Sequence, residues 1–105
     1  MDITVKELKE RLDRGEALNI LDVREVHEFN AGKISNFNIP MGEIPHQLER
    51  LAEFKDQELI VYCRSGGRSG AMTQYLKSQG FQDVRNLIGG VLAWKAEVDP
   101  TFIIG

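Results

Sequence analysis

Apolar residues recur along this chain in two alternating rhythms. Val5, Leu8 and Leu12 stand at helical spacing behind Thr4-Val5-Lys6-Glu7, which fits a capping box, and Gly15 is placed to stop that helix. The apolar run "ALNILDV" (17–23) predicts a strand, and the charged "REVHEF" after it predicts a short helix that ends by Gly32. From Ile34 to Pro40 the pattern fits a short strand or an extended segment. Ile44, Leu48 and Leu51 then form one apolar stripe, on a helix that Pro45 would start. "ELIVY" (58–62) is apolar without alternation after its first residue, as suits a parallel strand covered on both faces. Ala71, Met72, Tyr75 and Leu76 share one helical face with Gly80 beyond them. "FQDVRNL" (81–87) predicts another strand, followed by a turn at Gly89-Gly90 and a last helix around Val91 to Glu97. This order predicts an α/β domain of three layers, a central mainly parallel sheet with helices on both faces. Ligands of such sheets bind beyond the carboxyl ends of the strands. Asp22 to Glu25, Cys63 to Ser69 and the loop of Gly89 and Gly90 should meet there.

Composition narrows the picture. The 105 residues are enough for one domain, expected to span 1–105, that folds without metal or disulfide. A lone cysteine forms no internal disulfide, and with His27 and His46 it makes no ligand set for zinc, so no structural metal site is expected. The net charge of -3, with both signs interspersed, argues against a nucleic-acid surface. "MDITVKELKERLDR" carries charge from Asp2 onward and has no apolar run, which predicts neither signal peptide nor membrane anchor and makes the cytoplasm the expected compartment.

The lone cysteine lies in "LIVYCRSGGRS" (59–69), where a strand must turn quickly into a helix beginning near Ser69. Gly66 and Gly67 permit the dihedrals such a turn needs. Curled backbone presents successive N–H groups to an anion, and the helix start adds partial positive charge. Arg64 and Arg68 flank the position. These are the surroundings that stabilise a thiolate, the nucleophilic form of cysteine. A small buried cysteine would be the plain structural reading, but a core position has no use for a cationic, glycine-rich successor.

"CRSGGRS" resembles the active-site loop of rhodanese-homology domains: cysteine, arginine, a variable residue, glycine, a variable residue, then arginine or threonine. "LDVREVHEFNAGKI" is similar to the upstream motif of that family, and "LIGGVLAW" with Pro100 resembles its C-terminal motif. The resemblance runs from about Leu21 to Pro100. It implies a rhodanese-like fold and a sulfurtransferase of the thiosulfate type, in which Cys63 takes a sulfane sulfur as a persulfide and passes it to a thiol or cyanide. It further implies that Arg64 and Arg68 bind the anionic donor and that the backbone from Arg64 through Ser65, Gly66 and Gly67 to Arg68 cradles the outer sulfur, with Ser69 supporting. The implied partners are a small sulfur donor and a thiol acceptor, a thioredoxin-like or other sulfur-accepting protein among them, and no organic cofactor is implied, because the sulfur rides on the protein itself; charge and the N-terminal sequence already speak against nucleic acid and membrane as partners. Asp22 and Arg24 match the upstream motif, either as a polar brace or as an ordinary surface ion pair. Glu25 and Glu28 read as a solvated helix start, Trp94 as a packing anchor, and His27 and His46 as surface residues. Lys33 stands where the family usually has histidine, and "SNF" (35–37) replaces proline, glycine and alanine. Phe37 therefore either narrows the approach to the cysteine or fills core space.

Two other classes share parts of this pattern. Cysteine phosphatases and arsenate reductases place an arginine six positions after the cysteine, whereas Arg68 follows Cys63 by five and Ser69 stands sixth. The shorter loop should crowd a tetrahedral phosphate. A delivery module that hands a persulfide to one protein partner has the same sequence signature as an enzyme acting on small molecules.

Overall fold

The computed structural model describes residues 2–105. Four parallel strands, β1 (Asp2–Ile3), β2 (Ile20–Asp22), β3 (Glu58–Tyr62) and β4 (Asp83–Leu87), form one sheet in the order β1-β4-β3-β2. The helices are α1 (Val5–Asp13), α2 (Val26–Ala31), α3 (Leu48–Leu51), α4 (Gly67–Ser78) and α5 (Gly90–Glu97). This is the expected α/β architecture, and the sheet is parallel throughout.

Chain direction decides which helix covers which face. The α1 connection carries the chain from β1 across to β2 at the far edge, and the later connections bring it back through β3 to β4. Right-handed crossovers that travel in opposite directions must lie on opposite faces of a sheet. Accordingly Val5 and Leu8 of α1 and Val91 and Trp94 of α5 pack with Ile20, Ile60 and Tyr62. On the other face Leu51 of α3 and Leu76 of α4 pack with Leu21, Leu59, Val61 and Cys63. Alternate residues of β3 thus feed two cores, which is why "ELIVY" lacks polar alternation. Trp94 is a packing residue, as its sequence context suggested.

Local chemistry explains most elements. Thr4 caps α1 by accepting the Glu7 amide at 3.1 Å, while the Glu7 carboxylate accepts the Thr4 amide at 3.1 Å. The strand expected over 17–23 is shorter, and of the segment expected to be extended Ile34 to Asn36 bend while Phe37 to Pro40 lies beside β2 with a single bridge from Asn38 to Asp22. β1 has no counterpart in the pattern reading, because two residues are too few to show a period.

Two expectations need correction. Pro45 starts no helix: it lies inside a 3-10 turn, Met41–His46, and α3 begins only at Leu48, after Gln47 leaves helical dihedrals. The imide lacks an N–H, so the turn cannot continue into a regular helix through it. The stripe nonetheless faces inward, with Ile44 and Leu51 buried and Leu48 packed against the same core. In α4 Leu76 is buried and Met72 and Tyr75 pack against the same core, as expected, but Ala71 faces solvent and the inward side also takes in the buried Ser69 and Thr73. The inward face begins at Ser69 because that residue is drawn in by polar contacts described next.

Candidate active site

Cys63 follows the last residue of β3, at the carboxyl edge of the sheet, between the ends of β2 and β4. It is 1% exposed. The chain then reverses over Arg64, Ser65 and Gly66 and enters α4. Gly66 has φ +102°, a left-handed conformation that suits glycine, and a Cβ there would stand 3.3 Å from the Gly89 nitrogen. Gly67 is the first residue of α4, has no left-handed φ, and a Cβ on it would meet nothing within 4 Å. Only one of the two glycines is therefore needed for the turn.

The reversal brings three donors onto the sulfur. Sγ accepts from the Gly66 amide at 3.1 Å, the Ser69 amide at 3.3 Å and the Ser69 hydroxyl at 3.3 Å. Burial pushes the Cys63 thiol up. The Ser69 hydroxyl, with the amides of Ser69, Gly66 and Ser65, outweighs that and holds it below its ordinary value. Ser69 is itself fully buried, and its single hydroxyl proton is shared between Sγ and Asn86 Oδ1 on β4, 2.5 Å away, while the Asn86 side-chain amide donates to the Gly66 carbonyl at 3.2 Å. That second bond fixes which end of the Asn86 side chain faces Ser69. Residue 86 thus ties both ends of the loop to the sheet. The amides of Gly67 and Arg68, in the first turn of α4, have no hydrogen-bond partner among the described residues.

The glycine pair after β4 closes the site from the other side. Val91 and Leu92 donate their amides to the carbonyls of Cys63 and Arg64, both at 3.0 Å. A Cβ on Gly90 would lie 2.3 Å from the Cys63 carbonyl oxygen and 2.6 Å from that of Arg64, and φ there is +54°. The start of α5 can approach the loop this closely only with glycine at that position.

The arginines occupy different situations. Arg64 is exposed and forms no ion pair or side-chain hydrogen bond among the described residues. Arg68 is gripped end to end by Glu28: Nη1 donates to Oε1 at 2.8 Å and Nη2 to Oε2 at 2.9 Å. Glu28 is 7% exposed, which corrects its reading as part of a solvated helix start. Hydrogen bonds from Arg68 outweigh burial and hold its carboxyl at about 2. Nothing near residue 28 in the sequence signals this pairing, since its partner is 40 positions away. Asn86 escaped notice for the same reason. Glu25 is exposed, as expected.

Asp22 and Arg24 are both 0% exposed, so the surface ion-pair alternative falls. The Arg24 guanidinium donates through Nη2 to Asp22 Oδ2 at 2.7 Å and to the Gly32 carbonyl at 2.6 Å, and its backbone amide donates to Asp22 Oδ1 at 2.8 Å. Its carbon sits 5.5 Å from the centre of the Tyr62 ring. The pair joins β2, the end of α2 and β3 beneath the edge that carries Cys63, without touching the sulfur. Phe37 packs against Phe54, ring centres 5.8 Å apart, and fills core space. Lys33, His27 and His46 are exposed.

Comparison with known proteins agrees with this fold. The family model described as rhodanese-like domain matches residues 4–97. The chain is 42% identical over 100 residues to YtwF of Bacillus subtilis (strain 168), covering 94% of both chains. It is 36% identical over 94 residues to a protein of Allochromatium vinosum named "Sulfurtransferase", covering 89% of this chain and 86% of that one. The crystal structure of a rhodanese-like domain protein from Staphylococcus aureus superposes with a TM-score of 0.80 at 35% identity, over 100% of this chain and 99% of that one. The chain belongs to the rhodanese-like domain family of sulfurtransferases.

Proposed function

We propose that this protein moves a sulfane sulfur from an anionic donor such as thiosulfate to a thiol or cyanide through a persulfide on Cys63. The observation that carries the proposal is the set of three donors converging on a buried sulfur at a helix start, an arrangement that favours a charged nucleophile. The Cys63 thiolate attacks the outer sulfur of thiosulfate. A sulfur–sulfur bond forms to Cys63, the one in thiosulfate breaks, and sulfite leaves with the bonding pair. The new terminal sulfur carries the negative charge, and the free amides of Gly67 and Arg68 are available to it. An acceptor thiolate then attacks that sulfur, takes it as its own persulfide, and restores the Cys63 thiolate. Arg64, exposed beside the loop, attracts the anionic donor, and Arg68 with Ser65 completes the rim. In the expected reading the protein acts in the cytoplasm; no helix among the described residues is long and apolar enough to cross a membrane.

One observation supports a second reading, delivery to a protein thiol. Val26, Ile88 and Leu92 are large, apolar and exposed, and all lie on segments that leave the carboxyl edge around Cys63. A protein acceptor would cover them.

The test is turnover with thiosulfate and either cyanide or dithiothreitol. Cys63→Ser should fold normally and fall to the uncatalysed rate, because a serine hydroxyl is hardly ionised near neutral pH and carries no persulfide. Turnover by Cys63→Ser near the wild-type rate would refute the assignment.

A further inference from the structure

The acidic side chain most closely tied to the sulfur loop is Glu28, and its position changes the charge of the site. Two free arginines beside a thiolate would make an attractive site for a dianion. Instead Arg68 is held end to end by Glu28, so these two charges cancel. Arg24 and Asp22 cancel beneath the site. Arg64, exposed on the loop that follows Cys63, is left as the one cation of the loop without an anionic partner among the described residues, while Arg68 has the Cys63 sulfur and exposed Glu25 as further charged neighbours.

We infer that Glu28 is a specificity-determining residue: by neutralising Arg68 it sets the site to prefer a singly charged sulfane donor over a doubly charged one. This rests on the sulfurtransferase reading above and names the donor class within it. Thiosulfate brings two negative charges against a thiolate, and sulfite departs with two. The methanethiosulfonate anion has nearly the same shape and undergoes the same attack, but one charged oxygen is replaced by methyl. Cys63 forms the same bond to its outer sulfur and methanesulfinate leaves with the electron pair, so one negative charge fewer is present throughout. A site with one uncancelled cation holds the second donor without the extra repulsion that the first must overcome. Arg68 is 35% exposed, so the effect is subject to screening by salt.

Glu28→Gln removes the charge and keeps one of the two bonds to Arg68, because its NH2 takes the place of the oxygen that accepts from Nη2 and cannot itself accept. Its oxygen can still accept from Arg68 and from the Glu25 amide, which now bonds Oε1 at 3.0 Å, and glutamine suits this position of a capping box. At low ionic strength Glu28→Gln should lower the KM for thiosulfate by about fivefold and change that for methanethiosulfonate by less than about twofold, and ~0.5 M salt should close the gap. Arg68→Gln, which leaves Glu28 uncancelled, should do the opposite and raise the KM for thiosulfate more than that for methanethiosulfonate. An unchanged or higher thiosulfate KM in Glu28→Gln, or equal changes for both donors, would overturn the inference and leave sulfur transfer standing. If Glu28→Gln fails to fold, Arg68→Gln decides alone: equal effects on the two donors would overturn the inference. If neither donor adds sulfur to wild-type Cys63, the sulfurtransferase reading fails and takes this inference with it.

Discussion

At the scale of single residues, the sulfur is governed by hydrogen bonds more than by the arginines that mark it in the sequence. Ser69 touches Sγ twice, through hydroxyl and amide, whereas both terminal nitrogens of Arg68 are turned to Glu28. Removing the Ser69 hydroxyl should therefore raise the thiol pKa, since a hydrogen bond to a charged group contributes roughly 1.5–3 kcal/mol. Arg68→Ala should raise it less. The sign follows from the donors: they stabilise the thiolate, so their loss shifts the onset of reactivity to higher pH. The pH dependence of iodoacetamide alkylation measures this directly. A larger shift in Arg68→Ala than in Ser69→Ala would return the leading role to charge. The contrast also shows what a sequence discloses. Cys63, Gly66 and Ser69 lie within seven residues, and local geometry links them, so the loop was readable. Glu28 and Asn86 reach it from 40 and 17 positions away, and their own neighbourhoods look like a solvated helix start and an ordinary strand.

At the scale of elements, the loop is held in place by its neighbours. The start of α5 donates two amides into the Cys63–Arg64 backbone, and Gly90 makes that approach possible. Gly90→Ala combines a left-handed φ with a collision against two carbonyl oxygens, so it should destabilise the fold by about 3 kcal/mol and reduce sulfur transfer. Gly67→Ala, at the start of α4 with open space around it, should change stability by no more than about 1 kcal/mol. Urea unfolding of the two variants provides the comparison, and equal losses would mean the loop does not depend on the α5 contact. The elements themselves were legible where a helical period had room to repeat, as in α1 and α4, or where an apolar run was unbroken, as in β3. Two residues of β1 show no period, and the proline-containing stripe of Ile44, Leu48 and Leu51 keeps helical spacing while the backbone passes through two kinds of helix. Spacing reports which side faces the core, and it does so even where the hydrogen-bond pattern changes.

At the scale of the whole molecule, topology turns a sequence of ordinary elements into a site. Reversal of strand order places β3 between β2 and β4, so the ends of three strands supply Asp22 with Arg24, Cys63 and Asn86 to one edge. The two cores on either face of β3 support that edge from both sides, and the buried Asp22–Arg24 pair ties β2 to α2 beneath it. The chain carries a net charge of -3, so attraction of an anionic donor is a property of the rim and not of the molecule. Sulfur transfer at this site depends on Cys63 carrying the sulfur. Intact mass of the protein after incubation with thiosulfate or methanethiosulfonate, before and after a reductant, measures that most directly. A persulfide on Cys63 should appear as one added sulfur atom, lost on reduction and absent from Cys63→Ser. No added sulfur with either donor, or the same addition on Cys63→Ser, would contradict it.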